Sequence, residues 1–396
     1  MPISKRNTSA AHVNVLLINP VSAFGGAERG LLDIATVLRD TRYRPLVALP
    51  GEGPLTERLA EHGIPTRFAP MERIVKTRSL PRLVGHAAGI LTCAIRLARL
   101  IRRENIALVH ANSDTAHLYG GLAATFARVP ALWHGRDMVR LGVLQPWLEA
   151  TATHMIAVSR AAADHWIQNR PGRSPQSQQR LSEKITVLRN AVDTDTFQPR
   201  GARDAVRRAL GLDPNAFVTG MVAHLSPWKG HALFLEAAQR IAQALPDAAF
   251  LVVGDDLFGN QAAYRQRLHT LCSELGIADK VRFAGFQTDM PGLYEAMDVL
   301  THPARGEPFG RVVAEAMAMG TPVVAVNEGG PAEIVEDGVS GLLTEPNPDT
   351  IARQVLRLAG EPDLRQRLIC AAAQRIRQHF SLDEYRSELL AIYDSL

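Results

Sequence analysis

Twice along this chain, short β-branched runs alternate with stretches of helical period, and that alternation limits the fold more than any other feature. In the first half, residues 13–19, 45–49, 107–110, 131–134, 154–158 and 185–188 read as strands, with helical stretches such as 27–39 between them. The pattern restarts at 218–223 and continues through 249–253, 281–283, 299–302, 322–326 and 341–343. Parallel neighbours need crossover connections, and helices of this length supply them. Each half is therefore expected to be a doubly wound parallel sheet covered on both faces. A chain of 396 residues with 46% hydrophobic content can sustain two such cores.

The expected divisions follow from composition. Residues 1–11 are polar, contain Lys5 and Arg6, and lack the apolar run of a secretory signal, so they read as a loose tail. The first domain covers 12–189, and 190–199 leads into a second domain ending near 380. Residues 171–180, PGRSPQSQQR, read as a surface loop or insertion. Cys93, Cys272 and Cys370 are far apart and form no CxxC pair, which fits a reducing, cytoplasmic setting. The most apolar stretch, 83–95, is too short to cross a bilayer.

Charge is uneven. The net charge is +4, and residues 71–103 carry eight Lys or Arg against one acid, Glu72. No aromatics interleave with these residues and no nucleic-acid reader motif accompanies them, which argues against a nucleic-acid partner. Arg96, Arg99, Arg102 and Arg103 have two readings: the solvated face of a packed helix, or a contact with an anionic membrane surface at its inner face.

The densest chemistry lies in GEPFGRVVAEAMAMG, residues 306–320, followed by the strand TPVVAV. Gly310 breaks the chain before a helical run, and Gly320 stops it. Glu307 then sits in a loop at a helix N-terminus, where free amides can take hydroxyl or phosphate oxygens. Glu315 lies about two turns along that helix, so one ligand could span both carboxylates. An isolated glutamate pair is ordinarily surface charge; small residues around both acids and a preceding strand end favour the functional reading.

This Glu-x7-Glu block, with GEPFG before and EAMAMGTPVVA after, resembles the retaining glycosyltransferases of family 4. The resemblance extends over nearly the whole chain through IAVSR, NAVDTDTF, VRFAGF and EGGPAEIVEDGVSGLL. It implies a GT-B fold, two Rossmann-like domains facing across a cleft, with residues 381–396 as a helix crossing back to the first domain. It implies that Glu307 contacts hydroxyls of the donor sugar and Glu315 the nucleotide ribose. Phe309 and Gly310 then offer backbone contacts, with Arg311 also on the donor side.

A second matching block is VAHLSPWKG, residues 222–230, where the family places cations for a diphosphate. Lys229 fits on chemistry as well, because an ammonium at a strand end beside a helix N-terminus makes charge-assisted hydrogen bonds to phosphate. His224 departs from the family pattern, which commonly has arginine there, and supplies a weaker, titratable partner. Turnover is expected to rise as pH falls towards its pKa. Ala191 departs too, standing where the linker pattern NGVD has glycine.

In the first half, NPVSAFGGAER places a Gly25-Gly26 turn between a strand end and a helix, an arrangement that lets backbone approach an anion. The resemblance turns Gly25 and Gly26 towards donor phosphates and acceptor, and puts His134 near the transferred sugar. Arg136 and Asp137 follow as acceptor-side candidates. A lone histidine is ordinarily structural; the strand-end position favours a cleft role for His134.

There is no HExxH and no tight His/Cys cluster, Asp255-Asp256 reads as a loop pair, and no DxD metal site is expected. The expected reaction needs neither metal nor cofactor, the nucleotide-sugar being a substrate. The donor is expected to be a UDP-sugar, with GDP-mannose open, and the acceptor a glycan, lipid-linked or small-molecule hydroxyl. The alternatives are a nucleotide-sugar epimerase or hydrolase of the same fold, whose acid/base pair is not evident, and a catalytically silent binding protein. A dehydrogenase is disfavoured because GxGxxG does not follow the first strand.

Overall fold

The computed structural model describes residues 12–72, 80–139, 142–168, 174–256 and 259–396. The tail 1–11, residues 73–79 of the basic segment, and 171–173 of the expected loop lie outside the described residues. The chain divides into two compact units, Met1–Ala191 with Tyr385–Leu396, and Val192–Glu384.

The first unit holds seven strands: β1 (Val13–Ile18), β2 (Tyr43–Leu49), β3 (Thr66–Phe68), β4 (Ile106–Ala111), β5 (Ala131–Gly135), β6 (His154–Ala157) and β7 (Ile185–Val187). Their order is β3-β2-β1-β4-β5-β6-β7, and every pairing is parallel. Connections run one way from β1 to β3 and the other way from β4 onward, so the switch point lies between β1 and β4. The strands are apolar without alternation because both faces are covered. On one face, Cys93, Leu97 and Ile101 of the helix Leu80–Arg103 and Tyr119 and Ala123 of the helix Asp114–Ala127 pack against Leu16, Ile18 and Val109. Each fully buried aliphatic side chain contributes about 1.5–3 kcal/mol. The helix Asp114–Ala127 starts where Ser113 Oγ accepts a hydrogen bond from the Ala116 amide at 3.1 Å.

The second unit holds β8 (Val218–Val222), β9 (Ala249–Val253), β10 (Val281–Gly285), β11 (Val299–His302), β12 (Val323–Val326) and β13 (Leu342–Thr344). The order β10-β9-β8-β11-β12-β13 is again wholly parallel, with its switch point between β8 and β11. Phe234, Leu235 and Ile241 of the helix His231–Ala244 and Val355 and Leu358 of the helix Pro348–Gly360 close one core over Phe250, Val252 and Val324. Two doubly wound parallel α/β sheets, as expected, are what the chain forms.

Two expectations fail. Residues 175–183 are not loop but the helix Pro175–Glu183: Ser174 Oγ accepts from the Ser177 amide at 3.3 Å, and Pro175 stands at the first helical position, where its missing N–H costs nothing. Leu181 anchors that helix by burial. The apolar stretch at 83–95 is only part of the longer helix Leu80–Arg103, whose segment Val84–Arg103 has a mean hydropathy of 1.4 and is long enough to cross a membrane. Cys93, Ala94, Leu97, Ala98 and Ile101 are nevertheless buried against the first unit's core.

Candidate functional site

In the second unit, the switch point gathers the predicted donor residues. After β8, residues Pro227–Lys229 form one 3-10 turn ended by Gly230 at φ 79°, and the helix His231–Ala244 follows. A Cβ on Gly230 would come within 2.5 Å of the Pro303 carbonyl, so only glycine lets this turn lie against the loop after β11. The turn delivers Lys229 Nζ to within 2.5 Å of Glu307 Oε2 and 4.0 Å from the centroid of the Trp228 ring. His302, the last residue of β11, puts Nε2 3.5 Å from the same carboxylate oxygen.

Glu307 is only 9% exposed. Burial pushes its carboxyl up, but the Lys229 ammonium and His302 outweigh that and hold it down at about 2. It is therefore ionised, which makes it an acceptor-only group able to receive ligand hydroxyls. His224 moves the other way: burial and the neighbouring Lys229 charge lower it, with Glu307 opposing. Its imidazole stands 6.0 Å from the Trp228 ring, edge to face.

Gly310 caps the helix Arg311–Ala318 in the left-handed region, φ 93°, without a side-chain cap, so the first-turn amides have no capping side chain. Phe309 is buried, its ring 6.2 Å from that of Phe380. Glu315, 7% exposed, accepts a hydrogen bond from the Tyr294 hydroxyl at 2.8 Å on Oε2, and Arg311 Nε lies 3.5 Å from Oε1. The loop around Glu307 is held from behind: the Gly330 amide donates to the Glu307 carbonyl at 2.8 Å, and a Cβ on Gly329, φ 67°, would come within 2.3 Å of that oxygen.

In the first unit, the loops after β1, β4 and β5 are tied by a buried polar network. Gly25 is the extended N-cap of the helix Gly26–Arg39. Asn112 donates to Asn19 Oδ1 and to the Ala27 carbonyl, each at 3.0 Å. Arg136, 8% exposed, donates to Asn112 Oδ1 and Asn190 Oδ1, each at 2.8 Å. Asp137 is exposed. His134 is fully buried, its Nδ1 3.1 Å from His110 Nε2.

Lys229, His224, Glu307, Phe309, Gly310, Arg311 and Glu315 thus share one switch point, while Gly25, Gly26, His134, Arg136 and Asp137 stand at strand ends of the other unit. Tyr294, His302, Trp228, Gly329, Gly330, Asn112 and His110 escaped the sequence reading. The signal for His302 was available, as the last residue of a predicted strand; that for Tyr294 was not, since it reaches Glu315 from another helix. Among the described residues no group of three His, Cys, Asp or Glu side chains is placed to hold a metal ion.

The family model for Glycosyl transferases group 1 matches residues 202–375, and that for Glycosyltransferase Family 4 matches residues 24–196. The Anabaena protein Alr3699/HepE, solved in complex with UDP-glucose, is 30% identical to this chain, with a TM-score of 0.81 over 97% of this chain and 100% of that one. The chain belongs to glycosyltransferase family 4. Its GT-B neighbours include that same Anabaena protein with UDP and glucose, at 29% identity, TM-score 0.82 and the same coverage. Among curated family 4 relatives, the lipopolysaccharide core biosynthesis mannosyltransferase LpsB of Rhizobium meliloti (strain 1021) is 32% identical over 216 residues, 53% of this chain and 61% of that protein. The D-inositol 3-phosphate glycosyltransferase of Streptomyces bingchenggensis (strain BCW-1) is 30% identical over 300 residues, 72% of this chain and 66% of that protein. The chain spans less than two thirds of the length of these two curated relatives.

Proposed function

We propose that the chain is a retaining, metal-independent glycosyltransferase that moves a sugar from a UDP-sugar to an acceptor hydroxyl. The observation that carries this reading is the Lys229–Glu307 ion pair at the second unit's switch point, with Glu315 held by Tyr294 on the adjoining helix. A diphosphate entering there offers Lys229 a stronger anionic partner than one carboxylate. Lys229 then neutralises the leaving group, and the freed Glu307 carboxylate accepts hydrogen bonds from the sugar's hydroxyls. Glu315, with one oxygen on Tyr294, receives the ribose.

The transferred bond runs from the anomeric carbon to the diphosphate oxygen. As it breaks, the acceptor oxygen bonds to that carbon on the same face, and the acceptor's proton passes to the departing phosphate oxygen. No carboxylate nucleophile of the kind a double displacement requires enters this scheme. UDP is favoured because the Anabaena relative at 30% identity was solved with UDP-glucose. The acceptor is proposed to be a hydroxyl of a glycan, glycolipid or polysaccharide precursor, since one relative's name is that of a lipopolysaccharide core mannosyltransferase. A cytoplasmic location, with Arg96, Arg99, Arg102 and Arg103 resting on an anionic membrane face, belongs to the same proposal.

The test is release of nucleoside diphosphate from a panel of UDP- and GDP-sugars in chelator-treated buffer. Release from one donor that collapses in Glu307→Ala and Lys229→Ala supports the reading. Binding without release, with lipid and glycan acceptors supplied, favours a silent nucleotide-sugar binding protein instead.

A further inference from the structure

Beside the Lys229–Glu307 pair stands a third residue without a full bond of its own. His302 Nε2 lies 3.5 Å from Glu307 Oε2, the same oxygen on which Lys229 Nζ sits at 2.5 Å. That separation is longer than a full N–H···O hydrogen bond, and among the described residues no other partner meets this nitrogen, although His302 is only 3% exposed. Leaving a buried polar nitrogen in this condition carries a cost that a rearrangement of the site could remove.

The two neighbours of Glu307 differ in how far they can move. Lys229 ends a 3-10 turn and carries its ammonium on a long flexible stem beside Trp228, Nζ 4.0 Å from the ring centroid. His302 closes β11, where it pairs with Ala325 of β12. The next residue, Pro303, has its carbonyl against the Gly230 turn, so closely that a Cβ on that glycine would come within 2.5 Å. The imidazole therefore stays in place when the ammonium leaves. Its hydrogen is set by the neighbour: Glu307 is ionised and can only accept, so the nitrogen that faces it carries an N–H, whatever the state of the other nitrogen. Burial is the largest influence on the Glu307 carboxyl and pushes it up, while Lys229 and then His302 hold it down. A diphosphate that draws Lys229 away removes the larger counterweight and would strand a carboxylate that is 9% exposed.

We propose that His302 is a positioning residue that takes over Glu307 Oε2 when a diphosphate takes Lys229, so that the carboxylate stays held and aimed through the exchange of partners. This rests on the reading of the second unit as the nucleotide-sugar site. The imidazole acts through Glu307 and touches no substrate. Its nitrogen is under-used while Lys229 sits on the carboxylate and becomes fully bonded once the site is loaded. The bond gained by His302 offsets the one lost by Lys229, and Lys229 is released to the phosphates without Glu307 having to take up a proton.

Titration calorimetry of UDP and of GDP on the full-length protein tests this, with wild type, His302→Leu, Glu307→Gln and the double variant. His302→Leu should weaken nucleoside diphosphate binding about tenfold, because Glu307 then keeps neither donor once Lys229 has moved. In the Glu307→Gln background there is no carboxylate to strand, so adding His302→Leu should leave the affinity within about twofold. His302→Gln, whose amide can still donate to Oε2, should recover most of the loss. A His302→Leu protein that binds as wild type does overturns the proposal. So does a loss that persists undiminished in the Glu307→Gln background, since His302 would then be acting on the fold and not through the carboxylate. Should His302→Leu fail to fold, the structure of wild type with the diphosphate bound decides. Lys229 on the phosphates with His302 Nε2 within about 3 Å of Glu307 Oε2 is the expected arrangement; Lys229 still on Glu307, or His302 still 3.5 Å away, overturns it. If neither UDP nor GDP binds wild type, the nucleotide-sugar reading itself has failed and the exchange falls with it, an outcome seen before any variant is compared.

Discussion

At the scale of single residues, the proposed donor site turns on how charges are held before a ligand arrives. Tyr294 donates to Glu315, and Thr321 Oγ1 in turn donates to the Tyr294 carbonyl at 2.8 Å. A hydrogen bond to a carboxylate contributes roughly 1.5–3 kcal/mol, so Tyr294→Phe should weaken nucleoside diphosphate binding about tenfold by titration calorimetry, without loss of fold. His224 gives a second prediction. Its imidazole is held below the ordinary 6.5 by burial and by Lys229. Its positive charge therefore develops only as pH falls below that value. Turnover per bound donor should climb between about pH 6.5 and 5 in wild type and stay level over that window in His224→Arg, which is charged throughout. A wild-type profile as flat as the arginine variant's would show that His224 takes no part in stabilising the leaving group.

At the scale of elements, what the sequence made legible is what is local. Strands buried on both faces announce themselves as apolar runs, so twelve of the thirteen were readable; β3 was not, because Thr66–Phe68 is a three-residue edge strand with no run to see. The helix Pro175–Glu183 was hidden by its polar composition, although Ser174-Pro175 is a capping signal. Replacing Ser174 with alanine should cost about 1 kcal/mol in denaturant unfolding of the first unit, the usual price of a lost N-cap. Lys229, Glu307 and Glu315 were legible because each sits in a contiguous motif. Tyr294, Gly329 and His110 were not, since they meet their partners through strand order and not through sequence proximity. The helix Leu80–Arg103 carries a further prediction. It exposes Val84, Leu91 and Ile95 beside Arg96, Arg99, Arg102 and Arg103. If it rests on a membrane face, sedimentation with anionic vesicles should exceed that with neutral ones and fall with salt, and alanine at the four arginines should abolish the difference.

At the scale of the whole molecule, buried titratable groups set the response to acid. His110 and His117 are held at about 3 and His231 at about 4 by burial, and burial also lowers His134 well below the ordinary imidazole value. Below about 6.5 the unfolded chain takes up protons that these folded imidazoles refuse, so stability drains as pH falls. Asp114 works the other way: burial and the Asp137 charge raise it to about 7, so its folded form takes a proton first and gains as pH falls from 7 towards 3.8. Glu28 is raised by burial as well, but these two carboxyls are outnumbered by six lowered imidazoles, His154 and His224 included. Thermal unfolding midpoints should therefore fall steadily from pH 6.5 to 5, and a midpoint that holds level there would mean that water reaches these rings. The division of the chain has a different reach. The segment Tyr385–Leu396 packs into the unit begun by the first 191 residues, where Tyr393 meets His110. On the ribosome, the unit that is synthesised first is consequently the one that is finished last: it must wait, with its His110 face uncovered, until everything after it has emerged.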